Sequence, residues 1–162
     1  MSHMDDLKII FLDVDGVLNS NLTQRRTADG FIFVSGRHIK NLKRIIDATG
    51  AKVVLSSSWR MGRDDPSRNG DFLELRDELQ RYGISFYGFT PELRSCDRGA
   101  EISQWLEEHP DVTDYAVIDD STQISPHEDH WVRTSLSLGL CEEDVPKAIA
   151  ILTRGEMPEN EL

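Results

Sequence analysis

Two aspartates near the start of the chain are candidates for catalysis because of their residue type and their spacing. An apolar segment at residues 8–12 is followed by Asp13 and Asp15, and then by Gly16. Side chains at positions i and i+2 of an extended chain lie on the same side, so both carboxylates can face one site. Carboxylates are costly in an apolar environment unless a metal ion or hydrogen bonds compensate them. Their position at the end of a buried strand therefore indicates a catalytic site.

The chemistry that this pair of aspartates suits is phosphoryl transfer to a carboxylate. The reaction needs a nucleophile, an acid/base group, a phosphate-binding pocket and positive charge near the phosphate oxygens. We expect Asp13 to be the nucleophile that forms an aspartyl-phosphate. We expect Asp15 to protonate the leaving group and then to activate water. An Asx turn that closes the strand would explain one of the two aspartates, but not both.

A second pair of acids, Asp119 and Asp120, follows another apolar segment at residues 115–118. Together with Asp13, these acids predict a site for Mg²⁺, which prefers carboxylate and water oxygens. Capping of a following helix would explain one acid of the pair, but explains both less well. The sequence leaves open which of Asp119 and Asp120 contacts the metal directly.

A serine cluster after the apolar segment 51–55 supplies candidates for phosphate binding. Ser56 and Ser57 both offer a hydroxyl group and a backbone amide, and the uncertain strand end leaves both as candidates. Arg60 is a candidate for binding phosphate or substrate, with an ordinary solvated arginine as the alternative. We expect Trp59 to pack in the core and not to act in the site.

Apolar segments alternate with helical patterns along the chain, and this alternation predicts a three-layer α/β fold with a parallel sheet. In such folds, binding sites gather at the carboxyl ends of the strands. Segment 19–37 is long for a loop, and its apolar centre at 31–34 predicts a small strand or hairpin arm of a lid. Segment 61–70 is polar and is predicted to be a loop. The predicted strands are 8–12, 51–55, 84–89, 115–118 and 131–134, and the predicted helices start near 38, 71, 97 and 142.

The composition of the chain narrows the classes of function. With 162 residues and a net charge of −11, we expect one domain without general attraction to nucleic acid or anionic membrane. We assign this domain to residues 5–155, an expression scar to 1–4 and an acidic, frayed tail to 156–162. Two scattered cysteines indicate a reduced, cytoplasmic setting. The sequence shows neither a membrane-spanning run nor a dinucleotide-binding motif, so we expect no membrane and no dinucleotide cofactor as partners.

Several motifs together resemble the haloacid dehalogenase (HAD) superfamily. The segment DVDGVLN at residues 13–19 resembles the first motif of that superfamily. The segment VLSSSWR at 54–60 and the Gly139-Leu140 turn are similar to the small HAD domains associated with RNA repair. The segments RGAEI at 98–102 and VIDD at 117–120 are similar to the 3′-phosphatase domain of phage polynucleotide kinase-phosphatases.

This resemblance covers most of residues 7–153 and implies a Rossmann-like HAD fold. The implied fold has a central, mainly parallel sheet of about five strands and only a minimal cap. The implied activity is Mg²⁺-dependent hydrolysis of a phosphomonoester through an aspartyl-phosphate on Asp13. The resemblance also implies that the backbone carbonyl of Asp15 is a further metal ligand.

The superfamily usually places a lysine before its fourth motif to neutralise the phosphorylated aspartate. This chain has no lysine between Lys52 and Lys147. Arg98 stands in the expected place, and a guanidinium group can bind phosphate with two hydrogen bonds. Arg94 is the nearby competitor for this role.

The sequence leaves the class of substrate open. Segments 19–37 and 61–70 are too short for a large cap domain, and an open site suits a bulky substrate such as the 3′ or 5′ phosphate end of RNA or DNA. The acidity of the chain instead favours a small nucleotide or sugar phosphate. A phosphoacceptor or binding module that does not hydrolyse phosphate is a further alternative, but the availability of Asp15 as an acid/base favours turnover. Arginines that could supply local positive charge are Arg25, Arg26, Arg37, Arg60 and Arg63.

Overall fold

The sheet has five strands, and every neighbouring pair of strands is parallel. The computed structural model describes residues 6–63 and 71–156. The strands occur in the order β3-β2-β1-β4-β5 across the sheet. The prediction of an α/β fold with a parallel sheet is therefore confirmed. The strands are β1 (Lys8–Leu12), β2 (Lys52–Leu55), β3 (Phe86–Phe89), β4 (Asp114–Asp119) and β5 (Trp131–Arg133), and the helices are α1 (Gly36–Thr49), α2 (Asp71–Gln80), α3 (Arg98–Glu107) and α4 (Asp144–Leu152).

Helices cover both faces of the sheet and create two apolar cores. Side chains alternate along a strand, so Ile10 and Leu12 of β1 face one core and Ile9 and Phe11 face the other. Helices α1, α2 and α4 pack in the first core, and α3 packs in the second. This arrangement gives the three layers that the alternation of strands and helices predicts.

The observed element boundaries differ from the predictions by a few residues. β3 begins at Phe86, later than residue 84, and a 3-10 helix at Ser58–Gly62 includes the first two residues of the predicted polar loop 61–70. Asp97 caps α3 by accepting the N–H of Ala100. The expression scar, the tail beyond residue 156 and positions 64–70 of the polar loop lie outside the described residues. Among the described helices, none is both long enough and apolar enough to span a membrane.

The predicted apolar arm in segment 19–37 forms as an irregular hairpin. A single antiparallel bridge joins Arg26 to Ile32, and no strand forms at 31–34. Phe33 and Val34 are buried in the first core, whereas Phe31 is exposed. This arm is held by the core beneath it and, in the part of the chain that the structure describes, it is no more than an irregular hairpin.

A buried histidine connects α3 to β4. His127 Nδ1 lies 2.7 Å from the Tyr115 hydroxyl, and its Nε2 lies 2.8 Å from Ser103 Oγ and 3.1 Å from the Gly99 carbonyl. The carbonyl can only accept, so Nε2 carries the proton and Nδ1 accepts from Tyr115. Gly99 also allows close packing here, because a Cβ at this position would lie 2.0 Å from the carbonyl oxygen of Ser125. The network therefore fixes the first turn of α3 with a neutral imidazole.

We expect His127 to make the stability of the protein depend on pH. Burial lowers the pKa of His127 below its ordinary value of 6.5, and the Gly99 carbonyl opposes this shift only in part. A group with a lowered pKa in the folded state stabilises the fold above its unfolded pKa and loses that contribution as the pH falls. Urea unfolding should therefore show a steeper loss of stability below pH 6.5 for the wild type than for His127→Gln. Equal slopes for the two proteins would contradict the prediction.

Candidate active site

The register of β1 brings the predicted site residues to one edge of the sheet. Leu12 pairs with Ile118 of β4 and with the last residue of β2. The hydrogen bonds continue beyond the strands, because the Asp13 N–H donates to the Ile118 carbonyl (3.0 Å) and the Ser56 N–H donates to the Leu12 carbonyl (2.8 Å). Asp13, Ser56 and Asp119 consequently lie side by side at the carboxyl edge, where α/β sheets bind ligands.

Three of the four predicted acids form a compact cluster. Carboxylate oxygens of Asp13, Asp119 and Asp120 all lie within 4.8 Å of one another. Gly16 makes room for this cluster: its φ of +79° is in the left-handed region, and a Cβ there would lie 2.1 Å from Asp120 Oδ2. Segment 13–19 therefore provides both the acid Asp13 and the space for Asp120.

Arg98, at the start of α3, lies against this acidic cluster. Its guanidinium forms an ion pair with Asp119 and lies 3.5 Å from Asp13 Oδ1. Burial opposes the charge on Arg98, but Asp119, Asp13 and Glu101 outweigh that effect and raise its pKa. Arg98 therefore supplies positive charge beside Asp13, whereas Arg94 is exposed, and the role of Arg98 in place of the expected lysine stays a prediction.

The electrostatics of the cluster favour a divalent cation. Burial, and next the Asp119 carboxylate, raise the pKa of Asp13 well above its usual range, although Arg98 opposes this shift. Three carboxylates against one guanidinium leave excess negative charge in a buried place. A carboxylate set of this kind suits a hard divalent cation, so the residues present fit the metal that the sequence predicts.

The side chain of Asp15 lies apart from the acidic cluster and has its own partners. Trp59 Nε1 donates to Asp15 Oδ2 (3.1 Å), and Asn19 Nδ2 donates to Asp15 Oδ1 (3.0 Å). The Asp15 residue is exposed, whereas both of its donors are buried. The predicted metal ligand at this position is the backbone carbonyl of Asp15, and that role stays a prediction.

The two candidate serines have different surroundings in the structure. Ser57 Oγ accepts the N–H of Trp59 and caps the 3-10 helix at Ser58–Gly62. Ser56 Oγ is buried, and among the described residues it has no hydrogen-bond partner. A buried hydroxyl without a partner is costly, so Ser56 keeps unused hydrogen-bonding capacity at the carboxyl edge of the sheet. Ser56 and Ser57 both stay candidates for the phosphate ligand.

Arg60 lies below the site, where it joins three segments of the chain. Its guanidinium forms an ion pair with Glu101 of α3 (3.1 Å), and both side chains are buried. It also donates to the carbonyls of Ser57 (2.6 Å) and Pro91 (3.2 Å). These contacts engage both terminal nitrogens of the guanidinium with the protein and give Arg60 a structural role, and its phosphate-binding role stays a prediction.

The sequence interpretation gave no role in the site to Trp59 or Asn19. Trp59 is packed as expected, but its indole N–H also needs an acceptor, because buried tryptophans usually hydrogen-bond through this group. Asn19 ends the first motif, four residues after Asp15, which is the spacing of a local side-chain contact. Both signals, the indole N–H that needs an acceptor and the spacing of Asn19 from Asp15, are present in the sequence. Only the fold shows that both side chains contact Asp15.

The parallel α/β fold is that of the HAD superfamily, and the family match given next makes the chain a HAD-type phosphatase. Over residues 9–145 the sequence matches the family described as the HAD domain in Swiss Army Knife RNA repair proteins. The match spans more than half of the chain, and the chain belongs to this family. The resemblance to the superfamily is thereby confirmed.

No curated protein sequence matches the chain. Among solved structures, the chain is similar to the cobalt-bound form of deoxy-D-mannose-octulosonate 8-phosphate phosphatase from Haemophilus influenzae, with 14% sequence identity. The alignment covers 96% of this chain and 92% of that chain, with a TM-score of 0.46.

Proposed function

We propose that the protein is a Mg²⁺-dependent phosphatase that acts through an aspartyl-phosphate on Asp13. The observation that carries the proposal is the cluster of Asp13, Asp119 and Asp120 with Arg98 beside it. Asp13, Asp119, Asp120 and the Asp15 carbonyl would hold the metal. A bound Mg²⁺ would neutralise charge on the phosphate oxygens during transfer.

The first half of the reaction transfers the phosphoryl group to Asp13. A carboxylate oxygen of Asp13 forms a bond to phosphorus while the bond from phosphorus to the substrate oxygen breaks. Asp15 gives its proton to that departing oxygen, so the product leaves as an alcohol. Arg98 and the Ser56 hydroxyl bind the oxygens of the phosphoryl group, and Arg98 offsets their charge.

The second half of the reaction releases phosphate. Asp15 is now a carboxylate and takes a proton from a water molecule, whose oxygen attacks the phosphorus atom. The bond between phosphorus and the Asp13 oxygen breaks, and Asp13 returns to its free carboxylate form. Asp15 is protonated again, so both aspartates are ready for another substrate.

We propose the phosphorylated 3′ or 5′ end of a nucleic acid as the substrate. Among the described residues, the arm at 19–37 is a small irregular hairpin and not a cap domain, which suits a bulky substrate, and the family occurs in RNA repair proteins. A reduced, cytoplasmic setting, indicated by two free cysteines, belongs to the same proposal.

A small nucleotide or sugar phosphate is the second candidate, and the distribution of charge favours it. The chain has a net charge of −11. Of the arginines that could attract a polyanion, Arg25 forms an ion pair with Glu78 (3.1 Å) and Arg60 forms one with Glu101 (3.1 Å). A substrate with a single phosphate needs less positive charge than a nucleic acid does.

Removal of the metal and a comparison of substrates test both parts of the proposal. Phosphate release is measured from p-nitrophenyl phosphate, nucleoside monophosphates and oligonucleotides that carry a 3′ or 5′ phosphate. We expect EDTA to abolish turnover and Mg²⁺ to restore it, with kcat/KM about tenfold or more higher for one oligonucleotide end.

Each alternative gives a different result in this assay. Full activity in EDTA would contradict the metal requirement. Higher kcat/KM for a monophosphate would select the small substrate. Stable labelling of the protein without phosphate release would identify a phosphoacceptor.

A further inference from the structure

The carboxylate of Asp15 is held at both of its oxygens by buried side chains. Trp59 donates its indole N–H to Oδ2, and Asn19 donates its amide N–H to Oδ1. Trp59 is 4% exposed and Asn19 is 1% exposed, whereas Asp15 is exposed. An exposed aspartate usually samples several rotamers, so two donors from the protein interior are an unusual restraint.

The position of Trp59 is itself fixed by its neighbours. Ser57 Oγ accepts the backbone N–H of Trp59 (3.2 Å), which starts the 3-10 helix. The next residue, Arg60, is bound to the Ser57 carbonyl and to Glu101. The indole N–H therefore points at Asp15 from a turn that is anchored on both sides.

Asn19 is fixed in a similar way by the first motif. Its Oδ1 accepts the N–H of Gly16 (2.9 Å), and its Nδ2 lies 3.3 Å from the Ile32 carbonyl. The amide orientation is consequently determined, because Oδ1 needs a donor and Nδ2 needs acceptors. The same turn that carries Asp15 thus closes on itself through Asn19.

These contacts leave capacity on Asp15 for chemistry. Each carboxylate oxygen has two lone pairs, and one hydrogen bond to each oxygen leaves the second lone pair available for a proton. We infer that Trp59 and Asn19 are positioning residues that aim the Asp15 carboxyl at the leaving-group oxygen. The inference rests on the proposed function, in which Asp15 is the acid that protonates this oxygen.

If Trp59 positions Asp15, the loss of activity in a Trp59 variant should depend on the leaving group of the substrate. A loss caused by altered packing should not depend on it. Protonation matters for an alkoxide leaving group, but p-nitrophenolate leaves readily without a proton. Because kcat/KM reports steps up to the first irreversible one, it isolates the transfer to Asp13. In Trp59→Phe we expect kcat/KM to fall about tenfold or more for an alkyl phosphate and less than about threefold for p-nitrophenyl phosphate.

Trp105→Phe is a matched control, because Trp105 is also buried but packs in the second core against Phe11. It should change kcat/KM by the same small factor for both substrates. In the Asp15→Asn background, Trp59→Phe should have no additional effect on the alkyl phosphate. If Trp59→Phe fails to fold, Asn19→Leu removes the other donor at similar shape without adding a charge and should give the same selective loss.

The outcomes separate this inference from the proposed function. Equal losses on both substrates, or an additive effect in the Asp15→Asn background, would overturn the positioning role alone. Full activity of Asp13→Asn would instead contradict the proposed function, and the positioning role would fall with it. A selective loss for the alkyl phosphate together with an inactive Asp13→Asn would support both.

Discussion

Asp13→Asn should lower kcat/KM by about 10³-fold or more on every phosphate ester, the largest effect on activity that we expect. The amide is isosteric with the carboxylate but is a far weaker nucleophile, so the covalent transfer to this side chain is lost. The variant should nevertheless fold, because it removes a buried negative charge that lies beside Asp119. Its melting temperature should equal or exceed that of the wild type, as is common for substitutions in strained sites.

Two measurements check this prediction. Phosphate release is compared with thermal unfolding on the same preparations, so that a loss of activity is not confused with a loss of structure. Asp111→Asn is the matched control, because Asp111 is exposed and precedes β4 at the opposite edge of the sheet. Phosphate release by Asp13→Asn at the wild-type rate would refute Asp13 as the nucleophile.

The sheet could be predicted from the sequence because its strands carry strong local signals. β1 and β4 are continuous apolar runs that end in acids, which is the pattern of strands buried on both faces. Segment 31–34 is also apolar, yet it forms no strand. Its side chains are divided between the core and the solvent, since Phe33 is buried and Phe31 is exposed. An apolar run alone does not reveal whether a partner strand is available.

The acids of the site could be predicted, but their supporting side chains could not. Asp13 and Asp119 lie at strand ends, and the parallel register places those ends together. Trp59 and Arg60 are adjacent in sequence, but one contacts Asp15 and the other contacts Glu101. This division depends on how the 3-10 helix packs against α3, which is a long-range property. Local sequence therefore identified the acids that the structure brings together better than the side chains that contact them.

The buried ion pair between Arg60 and Glu101 leads to the largest effect on stability that we expect. Arg60→Met leaves the Glu101 carboxylate buried without its cationic partner and removes donors from the carbonyls of Ser57 and Pro91. Breaking a buried ion pair on one side typically costs about 3–5 kcal/mol. Urea unfolding should therefore give a free energy of unfolding lower by roughly that amount, with a melting temperature lower by about 10 °C.

A second substitution and a surface pair make the cause of this loss testable. Glu101→Gln in the Arg60→Met background removes the buried charge while its amide oxygen can still accept the N–H of Leu93, so part of the stability should return. Arg76→Met is the matched control, because Arg76 and its partner Asp77 are both exposed, and exposed pairs contribute at most about 1 kcal/mol. If Arg60 instead binds substrate, Arg60→Met would raise KM without lowering the melting temperature.

The ion pair joins the segment that carries Ser56 and Trp59 to the helix that carries Arg98. Its loss should therefore loosen the proposed phosphate-binding side and the proposed acid/base side of the site together.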